Sequence, residues 1–167
     1  PPRELPAMQR HGRTLKRLLV GLVAVVISLD VFDTLSTAPG SSGTAFRVLL
    51  AVGAVLTLSL GLVLGVTDQP AYAVGAVVAS PLVALYALTG LLLPWDQVAY
   101  VAGQSTLELL LAVPVVGEPL ATALFGGVTL SGASLRRAAR LHGALLVVWV
   151  VGFVAVVGPA LYRRALR

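Results

Sequence analysis

The sequence predicts an all-α integral membrane protein: a bundle of four spanning helices with an amphipathic connection between the third and fourth spans. Three observations predict it. Apolar residues make up 57% of the chain and charged residues only 11%, with a mean hydropathy of +0.94, whereas soluble domains carry about 25% charged residues. Four apolar runs reach the ~20 residues that a hydrocarbon core of about 30 Å requires at about 1.5 Å per residue. The basic residues gather at the ends of those runs, eight of the twelve Lys and Arg falling in residues 1–17 and 163–167.

Residues 1–14 form a basic N-terminal segment, expected on the cytoplasmic side, in which His11 sits among headgroup-region cations. The membrane unit is expected over 15–167, with spans near 15–36, 46–67, 71–93 and 138–162. The first apolar run continues from Leu18 to Asp30 and Asp33 with no small-residue cleavage site after it, which argues for a retained span rather than a signal peptide. Thr37–Thr44 is rich in turn formers and reads as a linker. Val48–Thr67 contains no charge at all, and Thr67–Pro70 makes a short turn. The third span carries Pro81, a kink that a membrane helix tolerates. It ends at Pro94-Trp95-Asp96-Gln97, where a proline stops the helix and a tryptophan suits the membrane–water boundary. In the connection 95–134, Leu107–Val113 and Leu120–Phe125 read as short interfacial helices. The fourth span follows Arg136, Arg137 and Arg140.

Four spans put both termini on one side, and the positive bias of the tails makes that side the cytoplasm, with the chain a multi-pass protein of the cell membrane. Arg47, Arg136, Arg137 and Arg140 then fall at the opposite surface, either as helix-end anchors whose heads reach water or as partners of an anionic ligand. Asp30 is costly against lipid and is expected to face protein or the interface, paired there with a basic residue of a neighbour. The absence of cysteine excludes iron–sulfur clusters and covalently attached haem within this chain. The net charge of +5 has no interleaved aromatics of the kind that would mark a nucleic-acid surface, and there is no phosphate loop, Cys/His cluster or Ser/His/Asp arrangement.

Three motifs carry a family resemblance: Thr89–Gln97 (TGLLLPWDQ), Val113–Leu120 (VPVVGEPL) and Ala133–Arg137 five residues before His142. In that order and spacing they resemble the N-terminal, haem-binding half of cytochrome b, the quinol-oxidising subunit of respiratory and photosynthetic complexes. The match is strongest over residues 89–142, weaker over 46–66, and topological over the first span. It implies four helices with an amphipathic segment between the last two, and two b-type haems held by histidine pairs about fourteen residues apart on the second and fourth helices. Arg47-Val48-Leu49-Leu50-Ala51-Val52-Gly53 is similar to the second-helix pattern in its arginine and glycine, but Leu50 stands at the first histidine. Leu64 and Val156 stand at two more, so His142 alone survives as a haem-ligand candidate. The resemblance further implies haem-propionate or other anion contacts for Arg47 and Arg137. Pro94, Trp95, Asp96, Gln97, Val115 and Glu118 would lie in the quinone pocket. Asp96, Glu108 and Glu118 are the only carboxylates of the connection.

The function expected from this pattern is a haem-depleted membrane subunit of a quinol-oxidising respiratory complex, shaping a quinone pocket and not catalytic alone. The alternative is a haem-b electron carrier that uses His142 and a non-standard second ligand. The cofactors implied are haem b and quinone, with no other metal. The partners implied are a Rieske protein, a c-type cytochrome or the C-terminal half of cytochrome b, together with lipid and no nucleic acid.

Overall fold

A computed structural model describes residues 5–36 and 42–165, with side chains described over 12–35, 42–159 and 162–163. His11, Arg164, Arg167 and the linker up to residue 41 lie outside the described side chains. The chain forms six helices: α1 (Leu5–Ser36), α2 (Gly43–Thr67), α3 (Pro70–Leu92), α4 (Gln97–Leu111), α5 (Gly117–Phe125) and α6 (Gly132–Ala165). Four of them, α1, α2, α3 and α6, are long and apolar enough to cross a membrane. The expected all-α four-helix class is what the chain adopts.

α1 and α3 each pack against both α2 and α6, so α2 and α6 face each other diagonally across the bundle. The α2–α3 contact is the most extensive because glycines let the two backbones close up, as small residues do between membrane helices. A Cβ at Gly65 would fall 2.2 Å from Ala73 Cβ, and one at Gly61 would fall 3.2 Å from Ala76 Cβ. Pro70 opens α3 at a position where no amide partner is needed. Pro81 lies inside α3 and cannot donate to the Val77 carbonyl, which accepts a 2.8 Å hydrogen bond from Ser80 Oγ instead.

α1 begins at Leu5, well before the span expected from residue 15, because backbone bonding continues through the basic segment after the apolar run has ended. α4 likewise begins at Gln97, ten residues ahead of the short helix expected from Leu107. Both connecting helices are amphipathic. α4 buries Ala99, Gly103 and Leu107, and α5 buries Gly117, Ala121 and Phe125, each set on one face at four-residue spacing. These faces join Leu92 and Ala138 in a second small core at the end of the bundle where α3 stops and α6 starts.

Candidate functional site

The side chains that carry chemistry collect in one buried layer of the membrane bundle. Asp30 and Asp33 come from the last two turns of α1, Arg47 from the second turn of α2, Tyr86 and Thr89 from the end of α3, and His142 from α6. All six are less than 9% exposed, and Asp30 is fully buried. Arg47 holds the two carboxylates with separate nitrogens: Nη1 donates to Asp30 Oδ1 at 2.8 Å, and Nη2 donates to Asp33 Oδ2. The second oxygen of Asp30 accepts from the Tyr86 hydroxyl at 2.5 Å and lies 3.0 Å from His142 Nε2. His142 Nδ1 lies 3.2 Å from the Tyr86 carbonyl oxygen and 3.2 Å from Thr89 Oγ1. The Tyr86 ring stacks on the imidazole with centroids 4.7 Å apart. Gly90 makes this approach possible, since a Cβ there would stand 2.9 Å from His142 Cε1.

The energetics follow from the surroundings. Charges inside a membrane span are expensive unless they pair within the protein. Here one guanidinium bridges two carboxylates and leaves only its Nε without a partner. The anion that Arg47 meets is therefore a pair of carboxylates from this chain's own first span. The basic partner of Asp30 belongs to the same chain, in place of the neighbouring one expected from the sequence.

Arg137 serves a different end. Its Nη1 donates to the carbonyls of Thr122 and Ala123 at 2.5 and 2.7 Å, satisfying the open C-terminal end of α5 beside the left-handed Gly126.

The six residues named for a quinone pocket divide between two places. Pro94, Trp95, Asp96 and Gln97 form the corner between α3 and α4. Trp95 has φ +50°, and Asp96 caps α4 by accepting from the Ala99 amide at 2.9 Å. The other Asp96 oxygen accepts from Thr44 Oγ1 at the start of α2. These two donors, the Ala99 amide first, hold the Asp96 carboxyl below the usual carboxylate range. Val115 and Glu118 lie at the elbow between α4 and α5, where with Leu111, Val113, Pro114 and Thr122 they line an open cavity of about 550 Å³. Val115 is 92% exposed and has φ +70°, an uncommon conformation for a β-branched residue. None of the Pro94–Gln97 side chains lines that cavity.

The haem-ligand positions implied by the resemblance can be tested against this geometry. Leu50 is buried against Val26, Ala54, Val83, Tyr86 and Leu145, Leu64 is fully buried, and Val156 is 78% exposed. Both ring nitrogens of His142 already have partners in the layer, Nδ1 at Tyr86 and Thr89 and Nε2 at Asp30 with Arg47 Nη1 3.4 Å away, and one ring face is covered by Tyr86. The cavity at the centre of the four spans measures about 70 Å³ and is lined by carbon, apart from Thr57, Tyr86 and Trp149. These residues offer a haem no axial nitrogen and no slot at the His142 layer, so the arrangement does not fit one there. Among the described residues no group of three or more His, Cys, Asp or Glu is gathered as a metal site.

Sequence reasoning singled out Asp30, Arg47 and His142 separately and did not bring them together. Asp33 and Tyr86 were not singled out. The available signal was two carboxylates one helical turn apart within an apolar run. The sequence model of the family described as Cytochrome b/b6/petB matches residues 40–162, well over half of the chain. With four membrane-crossing helices and this match, the chain belongs to the cytochrome b family, as a multi-pass membrane protein of electron transport.

Proposed function

We propose that the chain is a haem-free membrane subunit of a quinol-oxidising electron-transfer complex, in which it supplies structure and one wall of a quinone site. The observation that carries this reading is the buried layer around His142. The only histidine among the described side chains is engaged by Asp30, Thr89 and Tyr86, and the other three ligand positions are aliphatic. Leucine and valine have no lone pair for iron. Both carboxylates of the layer come from α1, and residues 40–162, the part that matches the family, do not include them.

In this reading the elbow cavity at Leu111–Thr122 receives the quinone head. Glu118 is the proton acceptor, since it lines that space while Asp96 is held in its cap. The electron acceptors belong to partner subunits: a Rieske protein, a c-type cytochrome or the C-terminal half of cytochrome b. Both termini face the cytoplasm and the α4–α5 side faces away from it, as the basic tails indicate.

Absorbance of the purified full chain and of its intact complex tests the haem-free reading. The expected outcome is no b-type Soret band assignable to this subunit, and no change in the complex's haem content in a His142→Ala variant. A Soret band lost with His142→Ala would overturn it and establish a haem-b carrier.

A further inference from the structure

Four arginines were expected at the α4–α5 end of the bundle, and two of them are satisfied inside the chain. Arg47 is held between Asp30 and Asp33, and Arg137 closes the end of α5. Arg136 and Arg140 are left. They stand in the second and third turns of α6, four residues apart and so on one face, and both are exposed. Neither takes part in an ion pair among the described residues. Arg140 folds back along the helix, its Nε donating to the Arg136 carbonyl at 3.3 Å. Arg136 reaches the same way, with Nη1 3.4 Å from where a Cβ on Gly132 would stand. Both heads therefore point away from the apolar run that begins at Leu141 and toward its watery edge.

Like charges four residues apart on a helix repel, and no carboxylate of the described chain offsets this pair. An anion with two free oxygens set across both heads removes the repulsion, and phosphate suits the forked donors of arginine. The same outward face of α6 continues past Arg140 as Ala144, Val147, Val148 and Val151, with each of the three valines more than half exposed. A row of carbon that starts beneath two unmatched cations at the edge of a membrane span is complementary to a molecule with an anionic head and an apolar tail. An acidic protein surface outside the membrane would match the arginines and leave the valine row uncovered, so the two features together favour a lipid.

We propose that Arg136 and Arg140 hold the phosphodiester of one anionic phospholipid, whose acyl chain lies along the valine row of α6. The site is on the outer face of the bundle and does not depend on whether a haem is bound inside it. A zwitterionic lipid would cover the valines but carries its own cation beside the phosphate, and the arginine pair therefore selects the anionic one.

A tryptophan on that face reports on the site directly. Trp95→Phe and Trp149→Phe remove the two native tryptophans of the full chain, and Ala144→Trp places one at an exposed position one turn past Arg140. The protein is put in phosphatidylcholine nanodiscs with a small fixed fraction of acyl-brominated lipid, either phosphatidylglycerol or phosphatidylcholine. Bromine quenches tryptophan on contact. The expected result is excess quenching by the brominated phosphatidylglycerol, with a preference of roughly fivefold for each arginine that engages the headgroup. Arg136→Gln and Arg140→Gln should each remove one such factor, and the two together should abolish the excess. Quenching by brominated phosphatidylcholine should stay unchanged throughout, because the reporter still faces lipid on a folded helix. Arg163→Gln, at the other end of α6, should leave the excess intact. Equal quenching by the two lipids, or an excess that survives the double substitution, overturns the proposal. Equal quenching together with loss of a partner subunit from the purified complex of the double variant assigns the arginines to an acidic protein surface instead.

Discussion

Toward the α4–α5 side, the four spans close on Asp30, Asp33, Arg47, Tyr86, Thr89 and His142, every one of them buried. Toward the other side, the same four helices leave a carbon-lined slot between Val23, Thr57 and Trp149. α2 and α6 face each other diagonally across both halves. The first half is filled by polar side chains that reach across from α1, and the second stays partly open. The difference lies in α1. Its last two turns carry two carboxylates that engage Arg47 and His142, while its earlier turns offer Leu19, Val23, Val26 and Ile27, which add only carbon. The buried ion-pair layer closes one half of the bundle, and carbon packing alone leaves the other partly open.

The strongest way to break this comparison is at Arg47. Arg47→Ala would leave Asp30 and Asp33 buried without their cation, and removing one partner of a buried ion pair typically costs about 3–5 kcal/mol. Unfolding of the full chain in detergent micelles should show a loss of that order. Adding Asp30→Asn and Asp33→Asn to the same protein should recover part of it, because the uncompensated charge is then gone. If Arg47→Ala unfolds like the parent, the layer does not hold this half of the bundle together.

A second substitution asks whether the layer excludes a haem by lacking a ligand or by lacking room. Leu50→His puts a second histidine in the bundle, on α2, but at a site 3% exposed and packed against Val26, Tyr86 and Leu145. A buried polar group without a partner costs about 1–3 kcal/mol in protein mutants. The expected result is a moderately less stable protein with no Soret band when expressed with excess haem. A b-type spectrum from this variant would mean that the space is available and that the missing ligand alone keeps haem out.

The four spans were legible because lipid sets their length and bans unpaired charge, so uncharged runs such as Val48–Thr67 announce themselves. The start of α4 was also written in the sequence, as an aspartate followed by a helical apolar stripe at Ala99, Gly103 and Leu107, but Asp96 is equally at home as a polar exit from the membrane, and spacing does not separate the two roles. The buried layer was legible only in pieces. Asp30 and Arg47 are 17 residues apart in sequence, with a helix end and a linker between them. Whether they meet depends on the rotation and depth of α1 against α2, which no local pattern encodes. Arg137 illustrates the same limit: its role emerges only once the carbonyls of Thr122 and Ala123 are placed beside it.

The smallest expected effect sharpens the comparison from the outside, at the corner that caps the polar half. Asp96 is at the surface, and its ionised carboxylate accepts from the Ala99 amide and from Thr44 Oγ1, so α4 is tied both to its own first turn and to the start of α2. Both donors favour the charged form and depress the folded-state value below the ordinary 3.8. The sign is that of a carboxylate stabilised by folding. The contribution is fully present above about pH 3.8, where the unfolded chain is also ionised, and is lost as pH falls through the lower folded value. Hydrogen exchange at the Ala99 and Tyr100 amides, corrected for intrinsic rates, should therefore accelerate only below that pH, and salt should weaken the effect because the site is exposed. Asp96→Asn keeps an acceptor for the Ala99 amide but cannot titrate, so its exchange should be independent of pH over the same range. If the variant shows the same acid-dependent opening as the parent, then α4 is released by a different carboxylate, and the corner is held by the packing of Ala99 and Leu107 rather than by its cap.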